Sequence, residues 1–122
     1  MKEKCLKCPM EETLKLLNKK WAILIIRDLF FGKKHFKEFK EGKSNLTNKV
    51  LSNCLKDLEN NGLIEKKTYQ SPLQTEYSLT EYGRSLNKII YEMAMFTLEN
   101  SAEYDDKTKE ELKEIFEEIV DN

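Results

Sequence analysis

Residues Asn45 to Ile64, NLTNKVLSNCLKDLENNGLI, decide how this chain is read. Thr47 is placed to cap a helix, because its hydroxyl can accept from the unpaired amides of a first turn. Val50, Leu51, Cys54, Leu55 and Leu58 then recur at helical spacing and define one stripe expected to be buried. Asn60-Asn61-Gly62 ends the run, with the glycine supplying a left-handed turn. The charges run against the helix dipole. Lys49 stands in the first turns without an acid, whereas Asp57 and Glu59 stand in the last turns. Each such misplacement is worth roughly 0.3–1 kcal/mol. That order makes sense if the N-terminal half of the helix meets a polyanion.

Opposite the stripe lie Asn48, Lys49, Ser52, Asn53 and Lys56, and no carboxylate occurs between Ser44 and Lys56. In a helix-turn-helix the second helix enters the major groove with its N-terminal residues nearest the bases. Asparagine can pair with adenine and lysine with guanine. Together with Thr47, these residues are the expected base contacts. Lys34, His35, Lys37 and Lys43 before the helix, and Lys66 and Lys67 after it, are the expected phosphate contacts; Lys33 and Lys40 lie on the same rim. For any single lysine the alternative is a solvated surface residue.

Outward from this helix the pattern stays regular. Pro9 suits a first helical turn, and Met10, Thr13, Leu14 and Leu17 follow at helical spacing, predicting a helix from Pro9 to Leu17. A second, from Lys20 to Phe31, is apolar almost all round and is expected to be the buried central helix, with Trp21 anchoring the core. A short third helix, His35 to Glu41, turns Phe36 and Phe39 inward and ends at Gly42. Downstream, Leu63–Tyr69 and Thr75–Leu79 read as strands flanking a turn-like tip, Gln70 to Gln74. Thr80 caps a long helix predicted to reach Asn100, with Leu86, Ile89, Ile90, Met93 and Thr97 on one stripe and Tyr91, Met95 and Leu98 on another. One stripe can serve the chain's own core; the second suits a partner subunit. A last helix, Asp106 to Val120, carries Leu112, Ile115, Phe116 and Ile119, and suits either a strut or a dimerisation element.

A short helix, a glycine turn, an amphipathic helix and a two-stranded ribbon make a winged helix-turn-helix. The fold class is therefore mostly α with a small β-hairpin wing. Residues 1–122 read as one domain, with a DNA-binding core over about 33–79 and dimerisation helices over about 1–20 and 80–120.

The formal net charge of −1 conceals a gradient. Residues 1–50 hold thirteen Lys/Arg against six Asp/Glu, a net of +7, and residues 101–122 hold three against nine, a net of −6. A basic N-terminal half and an acidic tail follow. The longest apolar run, Ala22 to Ile26, is far too short for a membrane span, and no signal peptide is visible. A soluble, cytoplasmic protein with free thiols is expected, since three cysteines without an export signal do not suggest a disulfide scaffold. Cys5 and Cys8 have metal-ligand spacing but no second pair, so no metal or other cofactor is expected. Cys54 reads as a small hydrophobe. Cys8 directly precedes the first helix, near Lys4 and Lys7, where a thiolate would be favoured and could react with oxidants or electrophiles; an inert terminal cysteine is the alternative. There is no Gly-rich phosphate loop, no GxSxG elbow and no nucleophile beside the single histidine, so an enzyme is not expected.

The chain resembles the HxlR-type winged-helix transcriptional regulators, relatives of the MarR group. The likeness covers roughly Cys8 to Phe96. It rests on CPMEETLKLLNKKW (Cys8 to Trp21), HFKEF (His35 to Phe39), LTNKVLSNCLKDLENNGLI (Leu46 to Ile64) and TEYSLTEYGRSL (Thr75 to Leu86). The resemblance implies a homodimer on a pseudo-palindromic operator in double-stranded DNA. It also implies a redox- or electrophile-sensing role for Cys8, which matches the family's Cys-Pro cysteine, and makes Arg84 a candidate phosphate contact. A protein-interaction module that does not bind DNA is the alternative function.

Overall fold

The computed structural model describes residues 7–121. Its elements run α1 (Pro9–Leu16), α2 (Ala22–Phe30), α3 (Phe36–Lys40), α4 (Asn48–Asn60), β1 (Ile64–Gln70), β2 (Leu73–Leu79), α5 (Glu81–Arg84), α6 (Asn87–Asn100) and α7 (Asp106–Asp121). Helix α4 begins where expected: the Val50 amide donates to the Thr47 hydroxyl at 3.2 Å. It ends where expected too. Gly62 adopts φ 77°, and the amides of Gly62 and Leu63 turn back onto the carbonyls of Glu59 and Leu58, each at 3.0 Å.

Leu51, Cys54, Leu55 and Leu58 of α4 share one core with Ala22, Ile25, Ile26 and Leu29 of α2, Phe39 of α3, and Leu63, Ile64 and Leu79 around the hairpin. Helix α2 is central, as its composition predicts. Trp21 lies half-buried at the edge of that core, with the Lys20 ammonium 5.0 Å from its ring centre. The antiparallel ladder pairs Gln70 with Leu73, leaving only Ser71 and Pro72 in the turn, so the second strand starts earlier than expected. The wing is fastened to the helical body through the Tyr77 amide, which donates to the Lys34 carbonyl at 2.8 Å, and through the Tyr77 ring edge-on to Phe39.

The single helix expected from Thr80 to Asn100 is two. The Gly83 amide donates to the Thr80 hydroxyl at 3.0 Å and starts α5. Gly83 approaches the entry to β1 so closely that a Cβ would stand 2.0 Å from the Leu63 carbonyl oxygen, which only glycine permits. With α5 held there, the chain tightens through Ser85 and Leu86 before α6 begins. The apolar stripes of α6 also sort differently. Leu86 and Ile90 join the core, Met95 and Leu98 are buried, and Ile89 and Met93 remain exposed. Helix α7 packs along α6 as a strut: Ile119 is buried, Phe116 meets Phe31 edge-on at 5.4 Å, and the Asn87 side chain donates to the Ile119 carbonyl. Among the described residues, no helix is long and apolar enough to cross a membrane.

Candidate nucleic-acid interface

Burying one stripe of α4 turns its opposite side to solvent. Thr47, Asn48, Lys49, Ser52, Asn53 and Lys56 are all exposed, so the six residues expected to read bases share one accessible surface. Lys40 of α3 donates to the Asn48 side-chain carbonyl and so orients its amide. Thr47 accepts the Val50 amide while its hydroxyl proton stays available. At the far end of α4, Asp57 forms an ion pair with Lys19 at 3.0 Å. The acid that opposes the helix dipole is thus balanced by the turn between α1 and α2.

The phosphate-contact set is divided by the structure. Lys37 and Lys66 are exposed. Lys34 is exposed but lies 3.5 Å from Glu76 of the wing. Lys67 is exposed and sits 5.4 Å from the Tyr69 ring centre, across the ladder from Glu76. His35 is a joint between α3 and the wing: its Nδ1 is 3.1 Å from the Thr75 carbonyl and its Nε2 is 3.2 Å from the Gln74 amide nitrogen. Just after it, the Glu38 carboxylate accepts the amides of Lys34 and His35 at 3.0 and 2.9 Å. Those two amides, Lys34 first, hold its carboxyl below the usual range.

Lys43 does not belong to the set. Its ammonium is buried against the Asp28 carboxylate of α2, whose Oδ1 also accepts from the Arg27 guanidinium at 2.9 Å. A lysine in the turn between α3 and α4 can reach inward because Asp28, itself only 3% exposed, needs a cationic partner there. Arg84 is exposed on α5. It lines a cleft with Phe30, Phe31, Glu118 and Ile119, and its helix is tied by Thr80 to the Gly62 carbonyl, at the end of α4 opposite Asn48.

Val50 was expected in the buried stripe, yet it is 43% exposed. One helical step of about 100° from Leu51 carries it past the edge of the core. Its place next to Asn48 and Lys49 makes it part of the accessible surface.

The thiols differ in setting. Cys54 is buried, and burial together with the Asp57 carboxylate pushes its thiol up to about 11. Cys8 is half-buried at the N-cap of α1; Lys4 and Cys5 lie outside the described residues. No group of three His, Cys, Asp or Glu side chains suited to a metal ion occurs among the described residues. A separate apolar groove of about 370 Å³ runs between α1 and α6, lined by Met10, Thr13, Leu14, Leu17, Ile23, Ile89 and Met93.

A tri-helical core, an accessible second helix free of acids over its first turns, and a hairpin docked on the helix before it define a winged helix-turn-helix regulator. The profile of the HxlR-like helix-turn-helix family matches residues 16–105, and the chain belongs to that family, one of transcriptional regulators rather than enzymes. The chain is 40% identical over 87 residues to the HTH-type transcriptional regulator YdeP of Bacillus subtilis strain 168, covering 70% of this chain and 68% of that protein. Among solved structures it is similar to the redox regulator HypR in its oxidised form, with a TM-score of 0.70 and 36% identity over 76% of this chain and 97% of that one. It is similar also to the reduced form of the transcriptional regulator YodB from B. subtilis, with a TM-score of 0.68 and 35% identity over 82% of this chain and 100% of that one.

Proposed function

We propose that the chain is a cytoplasmic, homodimeric regulator that binds double-stranded DNA sequence-specifically at a pseudo-palindromic operator. The observation that carries this reading is the exposed, carboxylate-free face of α4 beside the lysines of α3. Residues 33–79 supply the DNA-binding core. Asn48, Lys49, Ser52, Asn53, Lys56 and Thr47 contact bases, while Lys34, Lys37, Lys66 and Lys67 serve phosphates. Selection of bound fragments from genomic DNA tests the proposal. Enrichment of an inverted repeat, with affinity falling steeply with salt, is the expected result. Absence of any shift at low salt, with a protein partner co-purifying instead, rejects it for the interaction-module alternative.

The groove between α1 and α6 supports the dimer. Met10, Leu14, Ile89 and Met93 are exposed there, a contiguous apolar surface that a second copy would cover, so α1 and α6, within the stretches 1–20 and 80–120, serve dimerisation while α7 braces α6. Met93→Glu should shift sedimentation toward the monomer and abolish tight operator binding. An unchanged sedimentation coefficient would place the dimer contact elsewhere.

Cys8 is proposed as the sensor of an oxidant or electrophile. It occupies the N-cap position of α1, the helix that carries Met10 and Leu14, so a group added to its sulfur would act on the dimer surface. HypR is a redox regulator, and YodB has been solved with quinone bound. Cys8→Ser should abolish the effect of peroxide or quinone on operator affinity without changing the affinity of untreated protein. A response that survives the substitution removes Cys8 from this role.

A further inference from the structure

We infer that Val50 is a specificity-determining residue of this interface, selecting thymine by packing on its C5-methyl group. The inference rests on the DNA-binding reading above and deepens it by naming what one position reads. Among the exposed large apolar side chains of the described residues, Val50 is the one on α4. It is the third residue of that helix, directly after Asn48 and Lys49. That turn comes nearest the base edges when such a helix enters the major groove.

Local forces give no reason for a valine here. A β-branched residue at an exposed helical position is disfavoured relative to lysine or glutamine. The Thr47 cap needs only the backbone amide of residue 50, which any residue but proline would supply. The core gains little from a side chain left 43% exposed.

The surroundings say what would cover it. Asn48, Lys49 and Asn53 beside it are exposed and polar. One apolar side chain in a polar field offers too little surface for the apolar centre of a protein interface. The major-groove edge of DNA carries one apolar group, the thymine methyl, and a lone aliphatic side chain is its complement. Valine's χ1 is stiff, so little side-chain freedom is lost on contact. Cytosine presents a hydrogen where thymine has the methyl and leaves the contact unfilled.

The test uses a duplex enriched by the wild-type protein from a random library. Each thymine is replaced in turn by deoxyuridine, which removes one methyl group and leaves every hydrogen-bonding group in place. At one position per half-site the replacement should weaken wild-type binding about fourfold, the worth of one buried methyl-sized group. Val50→Ala should be insensitive to that same replacement, and a library selected by it should lose the thymine preference there. Insensitivity at every thymine, or sensitivity that persists in Val50→Ala, overturns the assignment while the DNA-binding reading stands. Failure to enrich any duplex overturns both. Because the deoxyuridine series is read first on the wild-type protein, the outcome does not depend on how the variant folds.

Discussion

Lys43 and Lys49 carry the same ammonium group on either side of the Thr47 cap, and their surroundings make them opposites. Lys43 is 8% exposed and paired with Asp28, whereas Lys49 stands in solvent on the face of α4. The first joins the turn before α4 to the central helix α2 and so helps set where α4 lies. The second adds nothing to the fold and is available to a ligand. A basic residue near a recognition helix can therefore be part of the scaffold or part of the reading surface, and only its partners say which.

The largest effect expected from breaking this contrast lies at the buried pair. Asp28→Leu leaves the Lys43 ammonium buried without its carboxylate and should cost about 3–5 kcal/mol of stability. Lys43→Met should cost less, because Arg27 still holds Asp28. The double variant should lie nearer the wild type than Asp28→Leu does, since removing both charges also removes the cost of desolvating them. Urea unfolding decides the matter. Additive losses in the double variant would mean that the two groups do not act as a pair.

On the exposed side the effects should fall on binding instead. Asn48→Ala or Lys49→Ala should cost about 1–3 kcal/mol of specific binding and alter preference at one base position per half-site. Unfolding free energy should move by no more than about 0.5 kcal/mol. A loss shared equally by specific and random duplexes would make these residues phosphate contacts. The wing lysines sharpen the comparison further. Lys66→Ala should weaken binding evenly across sequences and reduce the slope of log affinity against log salt by about 1. Lys67→Ala should change the slope less, because its ammonium already meets the Tyr69 ring and faces Glu76 across the ladder.

Much of this architecture is legible in local signals. The Thr47 cap, the Val50–Leu58 stripe and the Gly62 stop need only neighbouring residues; the cap and the stop are found where the sequence places them, and so is the stripe save for Val50. Long-range facts are less visible. Periodicity puts Val50 on a stripe but cannot say where the core ends, and the edge falls between Leu51 and Val50. Lys43 is not part of any repeating pattern, and its partner lies in another helix. A signal for it was present in AILIIRDLF, where an acid inside a nearly all-apolar helix must find a cation. Gly83 was a similar sign, an isolated glycine in an apparently continuous helix that proves to mark a close approach to Leu63.

The smallest expected effect concerns the joint between α3 and the wing, where an acid rather than a lysine orders the backbone. Glu38 accepts two amide hydrogens in its charged form, and its folded pKa lies below the ordinary 4.5. Its contribution to stability is therefore fully present above 4.5 and disappears as pH falls through the lower folded value. Glu38→Gln keeps the shape but removes the charge, so it should unfold at lower urea than the wild type at neutral pH. Well below 4.5 the wild-type side chain is protonated as well, and the two unfolding curves should converge. A gap that stays constant with pH would assign the difference to shape or packing instead of the charge on that carboxylate.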